Sequence, residues 1–140
     1  MNVDFVYNTD FKLNNEIETT QWINTFCKSE GFSIDSLVFV FFNDNELKGL
    51  NIRFLNHDYF TDVISFDESY NGFVKGNIAI SIDRVKENAS EFSCSFDDEL
   101  RRVIIHGVLH FMGFNDKTDD EKKKIKEKEN FAIEMFHVKR

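Results

Sequence analysis

Between Ser95 and Gly113 apolar residues recur at helical spacing: Leu100, Val103, Ile104, Val108 and Phe111. Ser95 with Asp98 three residues on resembles a capping box with Asp in place of Glu or Gln. Asp97 to Glu99 put negative charge in the first turn, and Gly113 stands where a left-handed C-cap belongs. The chain therefore holds one strong helix with an apolar face, and the rest of the fold must supply the surface that buries it.

The flanking sequence offers strands. Leu37-Val38-Phe39-Val40-Phe41-Phe42 is a wholly apolar run of strand formers and reads as a buried strand. Val3 to Tyr7 alternates loosely, and Asp62 to Phe66 and Asn77 to Ile82 form a further pair around a loop containing Asn71-Gly72, suited to a hairpin or an edge strand. Helical stripes occupy Asn14 to Glu30, through Ile17, Trp22, Ile23 and Phe26, and the segment after Asp44, which is expected to cap a helix carrying Leu47, Leu50, Phe54 and Leu55. Thr118 with Glu121 forms a second capping box and opens a last helix to about Phe136. There is no proline, so every break falls on Gly, Asn, Asp or Ser. The expected fold class is α+β: a small mixed sheet of about four strands covered by helices, in one domain spanning 1–140.

Composition narrows the function. Apolar residues at 41%, with 17 Phe, fit a packed globule and not a disordered chain. No run approaches the ~18 apolar residues of a membrane span, and the first residues lack a basic and then apolar leader, so a cytoplasmic location is expected. Cys27 and Cys94 are far apart and read as reduced thiols. The net charge of −8 is opposite to that of a nonspecific nucleic-acid binder.

His106 and His110 lie four residues apart inside the strong helix, which stacks two imidazoles on one face. Two neutral imidazoles at that spacing chelate one divalent metal; the alternative is one histidine in the core and one at the surface. The helix ends at Gly113, and Asp116 follows where a turn can swing a third ligand back. Two histidines and a carboxylate leave an open position for water, the arrangement of a catalytic site. The peptidase motif H-E-x-x-H puts its general base just after the first histidine; here that residue is Gly107, expected to leave room beside the metal for a bulky substrate.

The stretch His106-Gly107-Val108-Leu109-His110-Phe111-Met112-Gly113-Phe114-Asn115-Asp116 resembles H-G-x-L-H-x-x-G-Y-D-H, the signature of the YbeY family, bacterial endoribonucleases that mature ribosomal RNA. Two further blocks are similar to the family: Leu55-Asn56 followed by Thr61-Asp62-Val63-Ile64-Ser65-Phe66, and Gly76-Asn77-Ile78-Ala79-Ile80-Ser81, where the family has aspartate at Asn77. Ile125 and Glu129 fall where its last helix carries an apolar residue and a glutamate. The resemblance implies a small sheet under a zincin-like metal helix, a Zn2+ site, and metal-dependent, single-strand-specific cleavage of ribosomal RNA in small-subunit maturation and ribosome quality control. His106 and His110 become metal ligands, and Asp116 takes the place of the family's third histidine. This carboxylate lowers the site's net charge by one, weakens the metal as a Lewis acid and shifts preference toward Mn or Fe. The family's arginine between the Leu-Asn and Thr-Asp blocks has no counterpart; His57-Asp58-Tyr59-Phe60 stands there.

If RNA is the substrate, cations must gather at the metal. The candidates are Arg101 and Arg102, one and two turns before the ligands, with Arg53, Lys75 and Arg84, while Asp97 to Glu99 and Asp119 to Glu121 should lie on the far side. Lys122, Lys123, Lys124, Lys126 and Lys128 are interleaved with acids and read as a solvated face, as does His137; Glu129 reads equally as a group orienting a ligand or as a solvated one. The expected partner is single-stranded RNA of the small ribosomal subunit, bound by a monomer or weak oligomer away from membranes. Two other readings remain: a noncatalytic ribosome-assembly factor with a structural metal, and an amide hydrolase using the same helix.

Overall fold

A computed structural model describes residues 2–138; Met1, Lys139 and Arg140 of the expected 1–140 domain lie outside the described residues. The elements run β1 (Val3–Tyr7), α1 (Glu16–Ser29), β2 (Ser33–Phe42), α2 (Asp44–Leu55), β3 (Val63–Asp67), β4 (Phe73–Ser81), α3 (Ile82–Glu91), α4 (Phe96–Phe111) and α5 (Asp119–Val138). The strands form one sheet in the order β1-β2-β4-β3, with β1 and β4 parallel to β2 and β3 antiparallel to β4. The α+β class with a small mixed sheet under helices is the fold observed.

The main core lies where α1 and α4 meet one sheet face. Leu37, Phe39 and Phe41 of β2 and Val74, Ile78 and Ile80 of β4 are all at or near zero exposure, at the period of two that a strand imposes. They meet Val103, Ile104 and Val108 of α4 and Ile23 and Phe26 of α1. Trp22 of α1 donates its indole N–H to the Ala132 carbonyl at 2.7 Å, which ties α1 to α5. On the opposite face a smaller cluster of Leu47, Ile64 and Ala79 sits beneath α2.

Three local expectations are corrected. Asn43, not Asp44, caps α2: its side chain accepts from the Glu46 amide at 2.9 Å, while Asp44 accepts from Ser81 and Arg84. Of the α2 stripe only Leu47 is buried, and Phe54 and Leu55 are exposed, because α2 covers a small patch at one end of the sheet. The strand expected to end at Ile82 stops at Ser81, whose hydroxyl accepts from the Arg84 amide and starts α3 at once. A serine inside an apolar run is a cap that strand periodicity alone does not reveal. No helix among the described residues is long and apolar enough to cross a membrane.

Candidate metal centre

Half of the expected capping box forms at the start of α4: Ser95 accepts from the Asp98 amide at 3.1 Å, while the Asp98 carboxylate pairs with Arg101 and His137. At the other end Gly113 has φ +95, a conformation that favours glycine, and it turns the chain sharply. The turn brings Asp116 back over the last two turns of α4. Its Oδ2 lies 3.5 Å from His106 Nε2 and 3.6 Å from His110 Nε2, and the two imidazole nitrogens are 3.0 Å apart. These three residues can offer donors to one ion, with donor atoms within 4.8 Å of one another.

The donor set fits a metal. Three ligands held about 2.1 Å from a tetrahedral ion are separated from each other by roughly 3.4 Å, and the observed separations bracket that value. His106 Nδ1 is 2.7 Å from Glu129 Oε2, so the imidazole donates its Nδ1 proton to the carboxylate and turns the Nε2 lone pair toward the shared point. The Asp116 side chain is 44% exposed and that of His110 30%, so the centre opens to solvent on one side.

Behind the ligands lies a charged relay. Glu129 is nearly buried and Glu99 is 2% exposed, a costly placement for two carboxylates. Arg102 resolves it: Nε and Nη2 reach Glu99 at 2.9 and 2.6 Å, Nη2 reaches Asp62 at 3.2 Å, and Nη1 lies 3.6 Å from Glu129. Burial by itself would lower the Arg102 pKa, but the hydrogen bonds and charge of Glu99, with the charges of Glu129 and Asp62, hold it above its ordinary range. A signal for this relay exists in the sequence: Glu99, Arg102, His106 and His110 form a polar stripe at spacings of three, four and four on an otherwise apolar helix.

The glycine next to the first ligand does not border the metal. A Cβ at Gly107 would lie 3.0 Å from Ile78 Cγ2, 3.1 Å from its Cδ1 and 3.3 Å from Ser65 Oγ, so position 107 faces the sheet. The expectation of substrate room there is corrected: the missing side chain lets α4 lie close on β3 and β4, since one residue along a helix turns by about 100°.

A cleft of about 640 Å3 runs beside the metal centre, between α5 and the end of α3 with the start of α4; its lining includes Asp62, Phe92, Glu99, Arg102, His106 and Asp116. Of the five basic candidates only Arg102 lines it. Arg101 packs on the Phe136 ring at 3.7 Å and pairs with Asp98, Arg84 pairs with Asp44 and Glu87, and Arg53 lies over Phe54 at 5.8 Å. Lys75 is on β4, and neither it nor Arg53 reaches the cleft. Asp98 and Glu99, expected on the far side, line the cleft, because α4 enters it with its first turn. His137, expected in solvent, pairs with Asp98 at 2.8 Å. Lys122 and Lys126, read as a solvated face, line the cleft wall.

The family model for endoribonuclease YbeY matches residues 6–137. A protein named endoribonuclease YbeY from Christiangramia forsetii is 43% identical over 136 residues, covering 97% of this chain and 95% of that one. The like-named protein of Flavobacterium psychrophilum is 42% identical over 137 residues, covering 98% of each. The solution structure of TM1509 from Thermotoga maritima superposes with a TM-score of 0.73 at 27% identity, covering 98% of this chain and 90% of that one.

Proposed function

Because this chain belongs to the YbeY family of endoribonucleases, we propose that it cuts single-stranded ribosomal RNA hydrolytically with a divalent metal held by His106, His110 and Asp116. The observation that carries the reading is the convergence of these three donors at the mouth of an open cleft. A structural metal is enclosed by four protein ligands; here three candidate donors converge among the described residues and one side is open, which favours catalysis over the assembly-factor reading. The amide-hydrolase reading loses its support, since position 107 faces the sheet and has no room for a base.

A divalent ion bound here supplies Lewis acidity to a phosphodiester oxygen and makes water more acidic. Zinc is the proposed ion, and the carboxylate ligand makes manganese or iron the alternatives that metal analysis distinguishes from it. Glu129 holds the His106 tautomer, and Arg102 holds Glu129 and Glu99 in place. The chain acts as one domain in the cytoplasm, as a monomer or weak oligomer, on RNA of the small ribosomal subunit during its maturation and quality control. The test is metal analysis of protein purified without an affinity tag, followed by cleavage of a single-stranded RNA with and without chelator. Bound metal near one per chain and chelator-sensitive cleavage are expected; metal-free protein or chelator-indifferent cleavage overturns the reading.

A further inference from the structure

The cleft looks acidic by composition, yet its acids are spoken for. Asp62, Glu99 and Glu129 converge on Arg102, Asp98 on Arg101 and His137, and Asp116 on the metal-ligand histidines. Lys122 and Lys126, by contrast, are exposed on the cleft wall and form no ion pair among the described residues. They are one turn apart on α5, which places their Cβ atoms about 6 Å from each other, close to the separation of successive phosphates on a strand. At the end of α3 Phe92 is 58% exposed in the same cleft and has no aromatic partner among the described residues.

We propose that this cleft is the seat of the RNA strand, with successive phosphates on Lys122 and Lys126 and one base stacked on Phe92. The proposal rests on the endoribonuclease reading and gives that reading its substrate contacts. The five carboxylates of the lining, Asp62, Asp98, Glu99, Asp116 and Glu129, outnumber Arg102, Lys122 and Lys126, and a divalent ion at the metal centre would bring the cleft to balance, so that the two unpaired lysines can meet a polyanion although the chain carries a net charge of −8. Stacking on an isolated ring needs a base whose face is bare, which a single strand offers and a duplex covers. Single-strand preference then follows from Phe92, and affinity and its salt dependence from the two lysines.

The test uses the metal-loaded protein and a labelled 12-nucleotide single-stranded RNA. Steady-state cleavage is followed at several salt concentrations, and anisotropy measures binding of the same sequence with hydrolysis-resistant phosphorothioate linkages. Lys122→Ala with Lys126→Ala should raise KM and Kd roughly ten-fold, leave kcat within about two-fold, and flatten the log–log salt slope of binding by about 1.4, two phosphates at ~0.7 each. Phe92→Ala should weaken single-strand binding roughly ten-fold with the salt slope unchanged. Lys123→Ala, on the same helix but outside the cleft lining, should behave as the unaltered protein. All these side chains are exposed, and unchanged melting temperature and metal content verify folding. An unaltered Kd and salt slope in the double lysine variant overturns the proposal while leaving the nuclease intact. Absent cleavage with lysine-dependent binding overturns the catalytic reading and keeps the cleft; absent binding by the unaltered protein overturns both.

Discussion

The Glu129 carboxylate lies 2.7 Å from His106 Nδ1, joining two helices whose residues are 23 positions apart. Through this contact α5 sets the tautomer and ring orientation of a proposed metal ligand on α4. Partners of this kind are worth roughly ten- to a hundred-fold in metal affinity. Glu129→Gln should lower affinity by that factor in a chelator competition, with secondary structure unchanged. Equal affinity in the two proteins would reduce the contact to packing.

Asp116 closes the donor triangle from a loop, so its loss should leave α4 folded but the centre incomplete. Asp116→Ala should release the metal and abolish cleavage. Asp116→His restores a third donor and raises the site's charge by one, so bound metal should be retained. With that variant the rise of cleavage rate with pH should move to lower pH, because a less anionic site acidifies water more strongly. A pH–rate profile that stays in place or moves upward contradicts the charge argument.

Gly107 is a packing position. Alanine there gains about 1 kcal/mol of helix propensity but presses its methyl on Ile78 and Ser65, so Gly107→Ala should be near neutral or slightly destabilising. Gly107→Val adds further atoms to the same gap and should cost roughly 3 kcal/mol, read from urea denaturation. Gly107→Glu buries a carboxylate against the sheet; it should fail to fold stably and show no peptidase activity. A stable, peptide-cleaving Gly107→Glu protein would reverse the assignment of this face.

The two thiols should separate by pH and access. Cys27 is buried, and burial foremost, with the charge of Glu30, pushes it up to about 12. Cys94 is exposed in the cleft, and partial burial with the nearby charges of Glu99 and Asp98 raises it above the ordinary thiol value. A raised pKa means less thiolate at a given pH, so alkylation of native protein should occur at Cys94 alone, with a midpoint above pH ~8.5. A bulky adduct there should hinder RNA cleavage without removing metal. Labelling of Cys27 in the native protein, or full cleavage by the adduct, would place the strand elsewhere.

What the sequence determined by itself is local. The period of α4, its Ser95 cap, the four-residue step from His106 to His110 and the turn at Gly113 are all set within a few residues of one another, so the clustering of His106, His110 and Asp116 is legible from the chain alone. The Thr118–Glu121 capping box is of the same kind: each amide finds the other's side chain at about 3 Å. The interior strands are legible in part, since β2 is apolar on consecutive residues and β4 carries Ile78 and Ile80 two apart. What only the tertiary structure decided is which charges face one another. Net charge and lysine spacing assign Lys122 and Lys126 to solvent and Arg101 to RNA. Packing of α5 on α4 folds Arg101 onto Phe136 and Asp98, engages Arg102 with three acids from the approach to β3, α4 and α5, and leaves Lys122 and Lys126 exposed on the cleft wall, without an ion pair among the described residues. Electrostatic pairing depends on distance through space, and the residues that meet here are up to 67 positions apart in the chain, as Asp62 and Glu129 are through Arg102.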